Sequence, residues 1–127
     1  MDFELTEEQQ MFMDAVDGFA ERYLADKALE RAHAQGFPKD VAKMMAEQGL
    51  LGITMKEEDG GQGGTLTDAV IAIQTVAKHC PRSADVVQAG NFGAIITVFS
   101  APNYNSKRMH GEVTKIVQHM NAEDEAA

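Results

Sequence analysis

One cysteine, three prolines and no tryptophan occur in these 127 residues. The lone Cys80 excludes an internal disulfide, and beside four scattered histidines it forms no zinc-binding constellation, so no metal site is expected. Basic residues are scarce too: 11 Lys and Arg stand against 20 Asp and Glu, for a net charge of −9. Nucleic-acid binding needs clustered cations along a stripe, and no such stripe is visible in the chain; the same deficit argues against an anionic membrane surface. No apolar run approaches the roughly 18–20 residues of a membrane span. Asp2 and Glu4 do not suit the start of a signal peptide. These absences point to a cytoplasmic location and to a chain long enough to bury one core.

What the chain does have is helical periodicity. Thr6, Glu7, Glu8 and Gln9 form a capping box, in which a Thr hydroxyl and a Gln side chain satisfy each other's backbone donors at a helix start. Phe12, Val16, Phe19 and Tyr23 then recur at helical spacing, with Met11, Ala15 and Ala20 widening the stripe and Glu8, Asp14 and Glu21 on the wet side. Pro38 suits the first turn of a second, shorter helix with Val41, Met44 and Met45 on its inner face. A third helix is predicted from Thr67 to His79, burying Val70, Ile73 and Ala77, and it must stop near Cys80 because Pro81 has no N–H to donate. Ser83 is expected to cap a fourth. Its Val86, Val87, Ala89, Phe92, Ala94 and Ile95 are apolar on nearly every side, the mark of an interior element. Gly90 and Gly93 clear one stripe of it, for close approach of either a neighbouring helix or a ligand. Ile95–Phe99 reads as a strand or as the end of the fourth helix, Pro102-Asn103 as a turn, and Ser106 to about Asn121 as a last helix.

Between the second and third helices lies GLLGITMKEEDGGQGG, Gly49–Gly64. Gly49 follows the helical run as a left-handed C-cap should. Leu50, Leu51 and Ile53 return the chain to the core. Lys56–Asp59 reads as a solvated acidic turn, and four glycines fold the backbone tightly before a helix opens at Thr65 or Thr67. The loop lacks the Gly-Lys-Ser/Thr ending and the preceding strand of a phosphate cradle. Glu57, Glu58 and Asp59 are consecutive and miss the alternate spacing of a calcium loop.

The order of these pieces resembles the N-terminal helical domain of acyl-CoA dehydrogenases, flavoenzymes that desaturate acyl-CoA thioesters. Leu5–Leu24 is similar to the family's first helix, Gly49–Gly64 to its glycine loop and Thr67–Ile95 to its next two helices. Two departures stand out: Lys56 where the family usually has proline, and Asp59 where it usually has an aromatic residue. The resemblance implies an all-α fold, an orthogonal or up-down bundle of four to five helices over residues 1–96, with 97–127 a divergent tail. It also implies one wall of an acyl-CoA pocket, with Asp85, Val86, Ala89 and Gly90 at the pocket-facing positions. FAD and the catalytic glutamate belong to the complete family enzyme outside this domain, so no catalytic residue is assigned, and this chain alone is expected to retain no cofactor. Acyl-CoA is the expected ligand, bound weakly or not at all by the chain alone. A non-catalytic helical interaction or oligomerisation module, binding a partner or a second copy of itself, is the alternative.

The remaining candidates have plainer readings. Ile96–Tyr104, ITVFSAPNY, resembles a loop of the phosphoprotein serine/threonine phosphatases, but the Asp, His and Asn motifs that would hold two metals are missing, so it is read as non-functional. His79 and Cys80 are sequence neighbours that point about 100° apart on a helix and make no dyad. Cys80 is expected in the core. His110 and His119 form no chelating pair, and the eight methionines are ordinary packing.

Overall fold

The computed structural model describes residues 3–93. Among them are five α-helices and no strand: α1 Glu7–Tyr23, α2 Ala28–His33, α3 Lys39–Glu47, α4 Leu66–His79 and α5 Pro81–Gln88. Single turns of 3-10 helix occupy Ala25–Lys27 and Glu57–Asp59, and a π-helical turn, Ala89–Gly93, follows α5 directly. The expected all-α architecture is what the described residues form. The elements expected in the tail, from the Ile95–Phe99 segment through the Pro102-Asn103 turn to the helix at Ser106 to about Asn121, lie outside the described residues.

Helix starts follow local chemistry closely. At α1 the Gln9 N–H donates to Thr6 Oγ1 (3.1 Å) and the Thr6 N–H to Gln9 Oε1 (2.9 Å). At α4 the same reciprocal box joins Thr65 and Asp68, so the helix opens from Thr65. Gly49 ends the α3 segment at φ 72°, the left-handed value that a side chain resists. α5 starts earlier than expected, at Pro81, with Cys80 in the cap position and no side-chain cap. Proline's fixed φ and absent N–H suit the first helical position, so no Ser cap is needed. Ser83 is buried inside the first turn, where its hydroxyl donates to Cys80 Sγ at 3.0 Å.

The core gathers Val16, Ala20 and Leu24 of the α1 segment, Val41 and Met45 of α3, Ala69, Ala72 and Val76 of α4, and Ala84, Val86 and Val87 of α5, with Leu50, Ile53 and Cys80 between them. Two faces are rotated from their expected phase. Val70 is 48% exposed, while Ala69, Ala72 and Val76 are buried. α4 packs against both α1 and α5, and small alanines let two neighbours approach where valine would hold them apart. On α1, Tyr23 and Met11 are exposed, and Leu24 just beyond the helix is fully buried instead. Tyr23 lies instead against Phe19 and Arg22, with ring centroids 5.4 Å apart in the aromatic pair.

α2 has no counterpart in the sequence reading, since six residues without a side-chain cap carry little periodic signal. Arg31 holds it in place. This side chain is only 8% exposed, and its Nη1 donates to the Leu24 carbonyl at 2.9 Å, satisfying main chain at the end of α1. Asp17 ties α1 to α4 by accepting from His79 Nε2 (2.8 Å) and Lys78 Nζ (3.1 Å). These two donors, His79 first, hold the Asp17 carboxyl below the usual carboxylate range.

The acidic turn differs from expectation at one residue. Glu57 and Glu58 are exposed, but Asp59 is buried, and its Oδ1 has no hydrogen-bond partner. It occupies the position where the resemblance places an aromatic ring, a residue that suits an inward-facing side chain better than a carboxylate does.

Candidate functional site

The glycine loop and the end of α5 form one structural unit. Loop residues 52–56 are laced to 61–64 by main-chain bonds: Gln62 N–H to Gly52 O (2.9 Å), Gly63 N–H to Met55 O (2.8 Å) and Gly64 N–H to Ile53 O (2.7 Å). Gly61 lies so close to Met55 that a side chain there would collide with its backbone. The loop thus holds its shape through its own backbone, and its glycines serve that geometry.

Asn91, in the π-helical turn, fastens this loop to α5. It is wholly buried. Its Oδ1 accepts from the Ile53 N–H (2.7 Å) and at longer range from the Thr54 N–H (3.4 Å), while Nδ2 donates to the carbonyls of Leu50 and Val87 (2.8 Å each). One carboxamide therefore uses both donors and its acceptor to cross-link two segments whose main-chain groups would otherwise be buried unpaired. The wider π-turn at Ala89–Gly93 places this side chain across the loop. Nothing in the local pattern marks Asn91 as a clamp, apart from a carboxamide standing among the apolar residues of a helix expected to be interior.

The four residues assigned to the pocket wall fall on two sides of α5 and the π-helical turn that continues it. Asp85 and Ala89 are exposed and one turn apart, so they share an outward stripe. Val86 is 4% exposed and belongs to the core. Gly90 faces the glycine loop: a Cβ built on it would meet Leu51 Cδ2 at 2.8 Å and the Leu51 carbonyl at 3.0 Å. The space that Gly90 leaves is filled by Leu51, a loop residue rather than a neighbouring helix. Gly93 ends the described residues. Cys80 is buried as expected, away from solvent.

A family model for the acyl-CoA dehydrogenase N-terminal domain matches residues 6–107. The chain belongs to this family. Among similar proteins, the probable acyl-CoA dehydrogenase YngJ of Bacillus subtilis (strain 168) is 41% identical over 80 residues, 63% of this chain and 21% of that protein. The acryloyl-CoA reductase (NADH) of Anaerotignum propionicum is 41% identical over 87 residues, 68% of this chain and 22% of its own length. The 3-sulfinopropanoyl-CoA desulfinase of Paraburkholderia xenovorans (strain LB400) is 30% identical over 93 residues, 73% of this chain and 24% of its own. The chain therefore spans less than a quarter of the length of these curated relatives. Acyl-CoA dehydrogenases are FAD-dependent oxidoreductases, and this chain corresponds to their N-terminal domain.

A cleft of about 360 Å³ lies between α2, the turn at 34–38, the start of α3 and the start of α5. Six charged side chains line it, a poor match for the flat, largely apolar isoalloxazine of a flavin. Among the described residues no cluster of His, Cys, Asp or Glu could hold a metal ion, and no helix is long and apolar enough to cross a membrane.

Proposed function

We propose that this chain supplies one wall of the acyl-CoA pocket of an FAD-dependent acyl-CoA dehydrogenase, through Asp85, Val86, Ala89 and Gly90. The observation that carries this reading is the outward stripe of Asp85 and Ala89 on a helix whose end is clamped by Asn91. A wall must be rigid and shaped before the ligand arrives, because ordering it afterwards would cost affinity. Val86 and Gly90 fix that wall from behind, one by core packing and the other by admitting Leu51. Ala89 leaves room for an alkyl chain, and Asp85 suits a polar substituent better than a methylene. In the complete enzyme, bound FAD would supply a hydride acceptor. The residues of this chain bind and exclude water, and none is assigned a proton.

Calorimetric titration of the purified chain with acyl-CoA and with free CoA tests the reading. Heat specific to the thioester, weakened by Ala89→Leu with unchanged thermal unfolding, is the expected result. Equal responses to acyl-CoA and CoA, or an Ala89→Leu variant that binds as before, overturn it.

A second reading, self-association, is favoured by Met11 (70% exposed), Leu66 and Val70, apolar side chains left in solvent on the paired helices α1 and α4. Sedimentation that shifts with concentration, and that Val70→Lys abolishes, supports it.

A further inference from the structure

We propose that the cleft between α2, α3 and α5 is a binding site for a small molecule bearing a phosphate or diphosphate group. The chain has 11 basic residues and a net charge of −9, yet four of those cations, Lys27, Arg31, Lys39 and Arg82, line this one cavity against two acids, Glu30 and Asp40. Folding has concentrated positive charge where the composition is strongly negative, and a concave site with low-dielectric walls amplifies that field.

The two arginines are set in place before any ligand arrives. Arg31 is 8% exposed and spends Nη1 on the Leu24 carbonyl, and Arg82 spends Nη2 on the Gly36 carbonyl at 2.9 Å. A guanidinium carries five N–H donors, so each keeps several beyond the bond that orients it, and none of the Arg31 nitrogens is buried without a partner. Planar forks held in this way suit tetrahedral oxyanions, which they bind through paired charge-assisted bonds. The start of α3 borders the same cavity through Pro38, Lys39 and Asp40 and carries no side-chain cap, so the positive end of a nine-residue helix lies beside the cleft. The volume, about 360 Å³, falls at the lower end of ordinary small-ligand sites and is ample for a diphosphate.

This inference does not depend on the acyl-CoA reading, since it uses none of Asp85, Val86, Ala89 or Gly90. Isothermal titration of the full chain with sodium pyrophosphate, inorganic phosphate and ADP is the test. The expected result is saturable pyrophosphate binding that weakens with added salt and falls about tenfold in Arg82→Gln and in Lys27→Gln, each loss equal to one charge-assisted contact. Lys56→Gln, which removes an exposed cation outside the cleft, should leave affinity unchanged. Tighter binding of ADP than of pyrophosphate would identify a nucleotide as the source of the group, and the reverse a free anion; both support the site. Absence of binding, or equal weakening by Lys56→Gln, overturns it.

Discussion

The α1–α4 pair and the α5–loop pair are held together by different chemistry. The first rests on local caps, a broad alanine-rich contact and a partly exposed cluster of Asp17, Lys78 and His79. The second rests on a buried carboxamide and a glycine admitting a leucine, with almost no tolerance for change. Surface charge pairs contribute little and can be lost gradually, whereas a buried polar clamp leaves several groups unpaired when it is cut. The more fragile of the two regions is also the one that carries the proposed pocket wall.

Substitutions separate the two regions by size of effect. Asn91→Ala should be the most damaging, by about 3 kcal/mol in chemical denaturation, because the Ile53 N–H and the carbonyls of Leu50 and Val87 lose their partner together. Gly90→Ala should cost about 2 kcal/mol, since Leu51 is met through its backbone carbonyl as well as its side chain and can retreat only in part. In the α1–α4 region, Thr65→Ala removes a capping box and should lower stability by about 1 kcal/mol. A gain of similar size is expected from Asp59→Tyr, which replaces a buried, unpartnered carboxylate oxygen with the kind of ring the family places there; thermal unfolding would show it as a higher midpoint.

The smallest effect belongs to Asp17. Its folded pKa lies below the ordinary value of 3.8, so its pairing stabilises the fold at pH above that value and is lost as pH falls through the folded pKa. Asp17→Asn should therefore flatten the acid limb of a stability-against-pH curve and leave the region above it nearly parallel to the wild type. An unchanged acid limb would show that this partly exposed cluster contributes nothing.

Much of the frame was legible because it depends on neighbours in sequence. Thr6 with Gln9, Thr65 with Asp68, Gly49 at positive φ and Pro81 after α4 act within three or four residues, and each marks an element boundary. Burial phase was read less well: Val70 fits a helical stripe as an apolar residue, but the two helices beside α4 close on its alanines instead. Of the candidate site, the stripe containing Asp85 and Ala89 followed from the family resemblance. Asn91 did not, because an asparagine in sequence carries no sign of whether its partners are water or a loop.

By itself the sequence determined α1, α3 and α4, the threonine caps of α1 and α4, the turn at Gly49 and the family, since these follow from propensity, φ/ψ limits and hydrogen bonds closed within a turn or two. Tertiary structure alone decided what Asn91 clamps 38 to 41 residues away, which residue fills the space at Gly90, and that Lys27, Arg31, Lys39 and Arg82 meet in one cleft. Such contacts depend on how helices cross, and that is set by the summed packing of many side chains rather than by any local pattern.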